Sequence, residues 1–321
     1  MRPTGFFLHP AAALHDPGWG HPDHQGRLRT LASTVGKDLL TLHGQVEQYE
    51  APLASVEAIL QVHSPDHITA VRQACERAGV GQAEVAPETF VTGASWEAVL
   101  GSSGALIEAV DKVAGGVLRN AFVASRPPGH HASRARGLGF CVVNHVAVAA
   151  RHLIRTGRAE RVAIVDWDVH HGNGTQEIFY TDPEVFYLSL HQSPLFPGTG
   201  ATTEVGKGAG KGFTLNVPLP SGTGPERYLR AFRESLEEVA ARFDPDFVLV
   251  SAGYDGLAED PLGGFQLRPA TYHAMTGMVR GWAEEACDGR LVAALEGGYD
   301  PSATGLAALS TLRALAGLAR V

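Results

Sequence analysis

Short apolar runs alternate along this chain with longer amphipathic stretches that are rich in alanine. The runs contain many β-branched and aromatic residues, as buried strands do, while the longer stretches repeat their apolar residues at helical spacing. A strand-then-helix repeat predicts a parallel sheet with helices on both faces. The predicted strands are 5–9, 45–49, 121–125, 161–165, 185–190, 247–251 and 291–295. The predicted helices are 26–37, 65–78, 95–114, 141–155, 225–242, 269–287 and 301–318.

Length and composition favour one domain. The chain has 321 residues, of which 44% are hydrophobic, and this is enough apolar material for one large core. We find no internal repeat, low-complexity tract or linker, and the glycine-rich segment 198–212 is predicted to be a long surface loop. We therefore predict a single α/β domain over residues 1–321, with a three-layer α/β/α architecture and a central, mainly parallel sheet.

Charge and cysteine content limit the classes of partner. The formal net charge is -8, and the 26 lysines and arginines form no dense basic run. This argues against direct binding to nucleic acid or to an anionic membrane, and it favours a basic peptide or an amine. Three widely spaced cysteines predict reduced core thiols and a cytoplasmic location. We identify no signal peptide and no membrane span, and the oligomeric state stays open.

Several predicted strands run directly into polar or glycine-rich segments. Because ligands of parallel sheets gather at the carboxyl ends of the strands, we expect these segments to converge on one crevice. The segments begin at Arg126, Asp166, His191, Gly253 and Glu296.

The segment that begins at Asp166 has the composition of a metal site. Residues two apart on an extended chain share a face, so Asp166, Asp168 and His170 point the same way, and the last two can share one cation. Alternatively, these polar residues only lead into the next helix, which Asn173 or Thr175 would cap. We favour the metal site, because ionisable groups beside an apolar run are costly to desolvate without a partner charge.

The motifs along the chain resemble those of the zinc-dependent histone deacetylase family. This family includes class II deacetylases and acetylpolyamine amidohydrolases, and it has the arginase/deacetylase fold. The resemblance covers essentially the whole chain and rests on the order of the motifs, since GHH alone would mean little. The motifs are RPPGHH at 126–131, GFCVVNH at 139–145, DWDVHHGNGT at 166–175, SLH at 189–191, FPGTG at 196–200, SAGYD at 251–255, DPLGG at 260–264 and EGGYD at 296–300.

The resemblance implies two bound cations. One catalytic Zn²⁺ would be held by Asp168, His170 and Asp255, and this ligand set leaves positions open for water and substrate. A structural K⁺ would be held by side-chain and carbonyl oxygens, which suit a hard cation. The implied potassium ligands are Asp166, Asp168, His170, Ser189 and Leu190.

The resemblance also implies the catalytic groups. His131 would be the general base, His130 would assist it electrostatically, and the Tyr299 hydroxyl would stabilise the oxyanion. Asp166 would orient His130, and Asn173 would orient His131. The alternatives are a polar core motif for the paired histidines and simple packing for the tyrosine. A Pro-Pro-Gly turn before the histidines and the need of a buried phenol for a polar partner argue against them.

A narrow tunnel is implied for the substrate. Phe140 and Phe196 match its aromatic walls, and the Gly139 carbonyl matches the acceptor for the amide N–H of the substrate. Leu262 occupies the rim position where eukaryotic polyamine deacetylases carry a glutamate. Because leucine cannot bind a second ammonium group, an acetylated lysine peptide or protein is the favoured substrate, with acetate as product.

Two assignments stay open at this point. Arg27 matches an inner arginine associated with product acetate, but segment 21–25 departs from the family's His-Pro-Glu pattern, so we favour a role at the helix start. The loop acid that grips the substrate backbone is not assigned, and Glu84 and Glu88 are candidates beside a simple role as solvated charges. Together with Glu259, they are also the acids that a polyamine-binding rim would use.

The sequence predicts a zinc-dependent amidohydrolase that removes acetyl, or another short acyl group, from lysine side chains by means of metal-activated water. The first alternative is an acetylpolyamine amidohydrolase, which would be distinguished by an acidic rim or by an insertion that narrows the entrance in a dimer. A binuclear manganese ureohydrolase shares the fold but needs further Asp and His ligands that segment 251–255 lacks. A non-catalytic acyl-lysine-binding module would be expected to lose a ligand or the tyrosine.

Overall fold

The computed structural model describes residues 2–320, and its main element is one sheet in which every pair of neighbouring strands is parallel. Two further strands, β3 and β4, form a separate antiparallel hairpin. The strands are β1 (Thr4–Phe7), β2 (Val46–Tyr49), β3 (Ala83–Ala86), β4 (Thr89–Val91), β5 (Asn120–Val123), β6 (Val162–Asp166), β7 (Val185–Gln192), β8 (Thr214–Leu219), β9 (Phe247–Ala252) and β10 (Leu291–Leu295).

Helices connect the strands, and several begin at clear capping signals. Ser64 and Asp300 accept backbone N–H groups of the first turns of α4 and α10, and a proline follows each of them at the first helical position. The helices are α1 (Gly26–Lys37), α2 (Leu39–Leu42), α3 (Val56–Leu60), α4 (Pro65–Ala78), α5 (Ser95–Ala114), α6 (His145–Arg155), α7 (Asn173–Phe179), α8 (Pro225–Ala240), α9 (Pro269–Cys287) and α10 (Pro301–Leu315).

Both faces of the sheet are buried, and each face has its own hydrophobic core. On β6, Val162 and Ile164 point into one core and Ala163 and Val165 into the other, as alternation along a strand requires. Helices α4, α5 and α6 cover the first face, whereas α1, α8, α9 and α10 cover the second. The predicted three-layer α/β/α fold class is confirmed. That residues 1–321 form one catalytic domain stays a prediction, and Met1 and Val321 lie outside the described residues.

The strand order places the polar segments side by side. The order across the sheet is β2-β1-β5-β10-β9-β6-β7-β8. The strands whose carboxyl ends lead into the polar segments are β5, β10, β9, β6 and β7, and they are neighbours in this order. Because all of them are parallel, their carboxyl ends lie along one continuous edge.

The structure corrects several predicted bounds. Strand β8 was missed, because Pro218 argues against a strand in the interior of a sheet. The strand lies at the edge of the sheet, where the missing backbone donor of proline is tolerated. Helix α6 begins at His145 and not at residue 141, since the Asn144 side chain accepts the N–H of Ala147 and caps the helix there. Helices α8 and α10 end before the predicted residues 242 and 318. The β3–β4 hairpin and the short helices α2, α3 and α7 were also missed.

Within residues 2–320, no helix combines the length and the apolar character that crossing a bilayer requires.

Candidate active site

The structure brings the three predicted zinc ligands together. The ligand atoms of Asp168, His170 and Asp255 all lie within 4.8 Å of one another, and the three residues are buried. His170 Nδ1 is 3.1 Å from Asp168 Oδ1 and 3.1 Å from Asp255 Oδ2. Asp168 and His170 follow β6, and Asp255 follows β9, so the pairing of these two neighbouring strands aligns the three side chains.

Backbone groups hold the two carboxylates in place. Asp168 Oδ2 accepts the N–H of Gly297 at 2.9 Å, and Asp255 Oδ1 accepts the N–H of Val169 at 2.9 Å. A Cβ atom at Gly253 or Gly297 would collide with these carboxylates, so only glycine permits such close approach of the backbone. The glycines of SAGYD and EGGYD therefore shape this cluster.

The donor set of the cluster fits a divalent cation. In the described part of the chain, the only basic side chains in ion-pair distance of Asp168 or Asp255 are histidines. Burial and the negative charge of Asp168 raise the pKa of Asp255 above its usual range. Two buried carboxylates beside one imidazole thus need a compensating positive charge, and the N and O donors suit Zn²⁺ while leaving coordination positions open.

The paired histidines meet the partners that the family resemblance implied. His130 Nδ1 lies 3.1 Å from Asp166 Oδ2, and His131 Nδ1 lies 2.8 Å from Asn173 Oδ1. The two rings are 4.0 Å apart between centroids. Because the carboxylate and the amide oxygen accept hydrogen bonds, each Nδ1 carries a proton. The Nε2 atom of a neutral His131 is therefore free to accept one.

Opposite pKa shifts distinguish the two histidines. Burial by itself would lower the pKa of His130, but the carboxylates of Asp168 and Asp166 outweigh burial and raise this pKa well above its ordinary value. Burial, reinforced by the positive charge of the adjacent His130, lowers the pKa of His131 well below its ordinary value. Such a separation provides one cationic and one neutral imidazole, which is the arrangement that acid–base chemistry uses.

The Tyr299 ring and the Arg27 guanidinium lie against each other. The Arg27 guanidinium is 4.7 Å from the centroid of the Tyr299 ring. Arg27 is the second residue of α1, but its side chain is buried. It donates hydrogen bonds to the carbonyls of Gly298 and Glu296 and to the carboxylate of Asp23. The preference for a mere helix-start role was therefore incomplete. Burial raises the pKa of the Tyr299 phenol well above its ordinary value, so this hydroxyl stays protonated and can donate.

One narrow, largely apolar pocket of about 200 Å³ leads to these groups. It contains all the residues predicted to contact the substrate, together with Leu195, which the sequence did not single out. The lining residues are Glu88, His131, Gly139, Phe140, His170, Leu195, Phe196, Leu262 and Tyr299.

A tight turn shapes one wall of this pocket. The backbones of Leu138 and Cys141 exchange hydrogen bonds of 3.0 and 2.8 Å, so that Gly139 and Phe140 form the turn between them. Both turn residues have positive φ angles, 52° and 70°, and this conformation is uncommon for phenylalanine. A Cβ atom at Gly139 would lie only 2.9 Å from Phe196 Cε1. Glycine therefore lets the backbone of this turn approach the Phe196 ring closely.

Among the acids considered for the entrance, only Glu88 lines the pocket. It lies between β3 and β4 with φ 56°, and its N–H donates to Glu84 Oε1 at 3.1 Å. Its carbonyl accepts from His21 Nε2 at 3.3 Å, and the His21 ring packs 4.5 Å from the Phe140 ring. Glu84 thus supports the turn, while Glu259 is exposed and does not line the pocket.

The residues predicted to bind potassium lie on the neighbouring strands β6 and β7 and in the segment that follows β6. Asp166 is the register partner of Ser189. Burial lowers the pKa of His191 to about 3, so its ring is neutral; Nε2 donates to the Gly200 carbonyl, and Nδ1 accepts from Ser189 Oγ at 2.9 Å. The lone pairs of the Ser189 hydroxyl are thereby left available to a cation. Ligation of potassium stays a prediction.

Glu296 and Tyr187 support the paired histidines and were not assigned a role from the sequence. Glu296 Oε2 accepts the N–H groups of Gly129 and His130 at 2.6 and 3.1 Å and so fixes the start of the paired histidines. An acid directly after an apolar strand is the signal that could have identified it. The Tyr187 hydroxyl donates to Asp166 Oδ2 at 2.9 Å, but Tyr187 lies inside an apolar strand and gives no such signal.

Comparisons with known proteins agree with this geometry. Residues 21–315 match the histone deacetylase domain family, and the chain belongs to this family. It is 38% identical to a protein of Archaeoglobus fulgidus named "Probable deacetylase", over 92% of this chain and 81% of that protein. It is 37% identical to the "Histone deacetylase-like amidohydrolase" of Pseudomonas aeruginosa, over 98% of this chain and 81% of that protein. These relatives support a hydrolytic deacetylase.

A solved structure is similar over the whole chain. The crystal structure of the HDA15 HD domain matches with a TM-score of 0.92 and 33% sequence identity, and the match covers 100% of this chain and 90% of that one. Among plant proteins, the chain is 38% identical to "Histone deacetylase 14, chloroplastic" of Arabidopsis thaliana, over 96% of this chain and 75% of that protein. The arginase/deacetylase fold is thus established.

Proposed function

We propose that this protein is a zinc-dependent deacetylase that removes acetyl, or another short acyl group, from lysine side chains of proteins or peptides. The observation that carries the proposal is that His131, His170 and Tyr299 line one apolar pocket beside the buried Asp168–Asp255 carboxylates. Asp168, His170 and Asp255 would hold the zinc ion. When bound, zinc acts as a Lewis acid toward the amide carbonyl and lowers the pKa of water.

The side chains around the pocket supply proton transfer and stabilise the oxyanion. His131 Nε2 accepts a proton from the attacking water, because Asn173 keeps the proton of the ring on Nδ1. His130, held by Asp166, assists electrostatically and helps to protonate the leaving amine. The protonated Tyr299 hydroxyl donates to the carbonyl oxygen as it becomes an oxyanion, and one such donor contributes about 3–4 kcal/mol to the transition state.

The shape of the pocket supports acyl-lysine as the substrate. Its apolar lining, from Phe140 and Phe196 to Leu262 at the rim, suits the four-carbon stem of one lysine side chain. The Gly139 carbonyl would accept the amide N–H of the substrate. We also propose that K⁺ binds to the oxygens of Asp166 and Ser189 and to nearby carbonyls, where it would support the strand ends that carry the zinc ligands.

Glu88 supports a second candidate, an acetylpolyamine amidohydrolase. This exposed carboxylate at the pocket could attract a distal ammonium group, although it could equally accept backbone N–H groups of a peptide. Measurement of kcat/KM for acetyl-lysine peptides, longer acyl-lysines and acetylspermidine, with zinc content determined on the same sample, separates the two. A wide preference for acetylspermidine would overturn the acyl-lysine proposal.

We further propose a cytoplasmic location, without direct contact to nucleic acid or membrane. The free cysteines Cys75, Cys141 and Cys287 are buried, as in a protein kept in a reducing compartment, and the net charge of -8 disfavours polyanionic partners. Fractionation of the cells that express the protein tests the location. Recovery of the protein with membranes or chromatin at physiological salt would contradict it.

A further inference from the structure

One buried carboxylate connects two walls of the pocket. Asp260 Oδ2 accepts the N–H of Tyr299 at 2.6 Å, and Asp260 Oδ1 accepts the N–H of Leu262 at 2.9 Å. Tyr299 follows β10, whereas Leu262 belongs to the loop after β9. Only 7% of Asp260 is exposed, so water cannot replace these bonds without a rearrangement of the loop.

The peptide group between Gly298 and Tyr299 is held from both sides. Its carbonyl oxygen accepts from Arg27 Nε at 2.6 Å, and its N–H donates to Asp260 at 2.6 Å. Gly298 has a φ of 118°, a conformation that glycine adopts easily and that other residues do not. Because two successive glycines leave this segment flexible, side-chain contacts must fix the direction in which Tyr299 leaves the backbone.

The second carboxylate oxygen of Asp260 fixes the position of the rim residue Leu262. Leu262 is followed by Gly263, where a Cβ atom would collide with the carbonyl oxygen of the metal ligand Asp255. The loop is therefore pressed against the segment that carries this ligand. A shift of Leu262 would be transmitted to Asp260 and from there to the N–H of Tyr299, since both N–H groups share one carboxylate.

We propose that Asp260 is a positioning residue that fixes the Tyr299 hydroxyl relative to the pocket rim at Leu262. The proposal rests on the proposed deacetylase function for its effect on turnover. It makes the placement of the oxyanion donor depend on a residue that contacts neither the substrate nor the metal. Misplacement of a catalytic group by about 1 Å can cost roughly 100-fold in rate.

A double-mutant cycle tests the proposal. In Asp260→Asn, an amide N–H replaces one acceptor and faces a backbone N–H, so one of the two bonds is lost. We expect kcat on an acetyl-lysine peptide to fall roughly 10- to 100-fold, with a much smaller change in KM. In the Tyr299→Phe background the same change should cost less than about threefold, because the hydroxyl that Asp260 positions has gone. Multiplicative losses in the double variant would overturn the proposal.

Controls separate positioning from a loss of fold or of metal. Glu259→Gln alters the neighbouring exposed acid, which does not line the pocket, and should leave kcat unchanged. Zinc content and the thermal midpoint show whether Asp260→Asn is folded and loaded. If Asp260→Asn is unfolded or lacks zinc, Asp260→Ser takes its place in the cycle, since serine retains one acceptor without a buried charge.

A structural measurement keeps this proposal distinct from the proposed function. In crystals of the folded Asp260 variant, the Tyr299 hydroxyl should lie about 1 Å or more from its position in the wild type, a displacement large enough to matter for catalysis. This result does not require that the substrate class be known. An unmoved hydroxyl would overturn the positioning role, whereas inactivity of the wild type on every acylated substrate would overturn the proposed function alone.

Discussion

The Nδ1 atom of His131 lies 2.8 Å from the Oδ1 atom of Asn173, the first residue of α7. The residue before Asn173 is Gly172, and no side chain within residues 2–320 caps this helix. The amide of Asn173 is thus used to orient an imidazole and not to cap α7, which is the alternative that the sequence left open. This contact leaves Nε2 of His131 directed away from Asn173 as a free acceptor.

Removal of this contact should reduce turnover. In Asn173→Ala, neither the tautomer nor the ring position of His131 is fixed, so we expect kcat to fall by roughly 10- to 100-fold, the usual effect of losing a supporting hydrogen bond. Steady-state kinetics on an acetyl-lysine peptide check this. Glu177→Gln, an exposed change on the same helix, is the matched control. Equal kcat in the two variants would argue against an orienting role.

Loss of the Tyr299 hydroxyl should affect the transition state and not substrate binding. Tyr299→Phe keeps the ring that packs against Arg27 and Phe140, so the pocket retains its shape. We expect kcat to fall by about 10²- to 10³-fold with KM nearly unchanged, as for removal of one oxyanion donor. A normal kcat would mean that the hydroxyl does not reach the oxyanion.

The metal should depend on both carboxylates of the cluster. Asp168→Ala and Asp255→Ala should each lose bound zinc and turnover together, because one imidazole and one carboxylate make a poor site. Far-ultraviolet circular dichroism should stay close to that of the wild type, since the apolar strands β6 and β9 are buried without the metal. A chelator followed by zinc should remove and restore wild-type activity. Stoichiometric zinc in both variants would contradict the ligand assignment.

Most of the fold and the centre of the site could be predicted, because their signals are local. Continuous apolar strands flanked by amphipathic helices define a parallel sheet, and polar residues at strand ends locate its functional edge. The contacts made across the sheet could not be predicted in this way. Tyr187 reaches Asp166 only because β6 and β7 pair in a particular register, which neither strand encodes alone.

Residues that support the backbone were the second class missed by sequence reasoning. Glu296 and Asp260 bind N–H groups of distant segments. The position of Glu296 after an apolar strand marks it as a candidate, but the partners of both carboxylates are fixed only when the chain is folded. The positive φ of Phe140 is likewise a tertiary effect. Its turn is fixed by bonds between Leu138 and Cys141 and by the contact with His21, which no local propensity favours.

Acid should destabilise the fold partly through His63. Its Nδ1 donates to the Ser133 carbonyl at 2.8 Å, and its Nε2 accepts the N–H of Asn144 at 2.9 Å, so the buried ring is held neutral beside the segment that follows His131. Burial, and then the nearby His67, lower the pKa of His63 to about 3.

The direction in which the free energy of unfolding changes with pH follows from proton linkage. An unfolded histidine has a pKa of about 6.5, so below that pH the unfolded chain binds a proton that the folded chain does not. His63 should therefore reduce the free energy of unfolding by up to about 1.4 kcal/mol per pH unit as the pH falls from 6.5 toward 3. Urea unfolding of the wild type and of His63→Gln between pH 7 and 5 checks this. Identical pH slopes in the two proteins would contradict it.

Specificity should respond to charge at the rim. Leu262→Glu would place a second carboxylate at the pocket that Glu88 already lines, and the added charge would attract a distal ammonium group. We expect the wild type to prefer acetyl-lysine peptides, and the variant to shift the ratio of kcat/KM toward acetylspermidine by roughly tenfold, which corresponds to about 1.4 kcal/mol.

Leu262→Gln is the matched control for this prediction, because it has the shape of glutamate without the charge. It should leave the ratio near that of the wild type, and the shift in Leu262→Glu should shrink in high salt, since a rim carboxylate is partly solvated and screened. Equal shifts in the Glu and Gln variants would indicate that the shape of the rim, and not its charge, selects the substrate.

Glu88→Gln should lower the activity on acetylspermidine more than on a peptide if Glu88 pairs with the ammonium group, and it should affect the peptide more if Glu88 accepts backbone N–H groups.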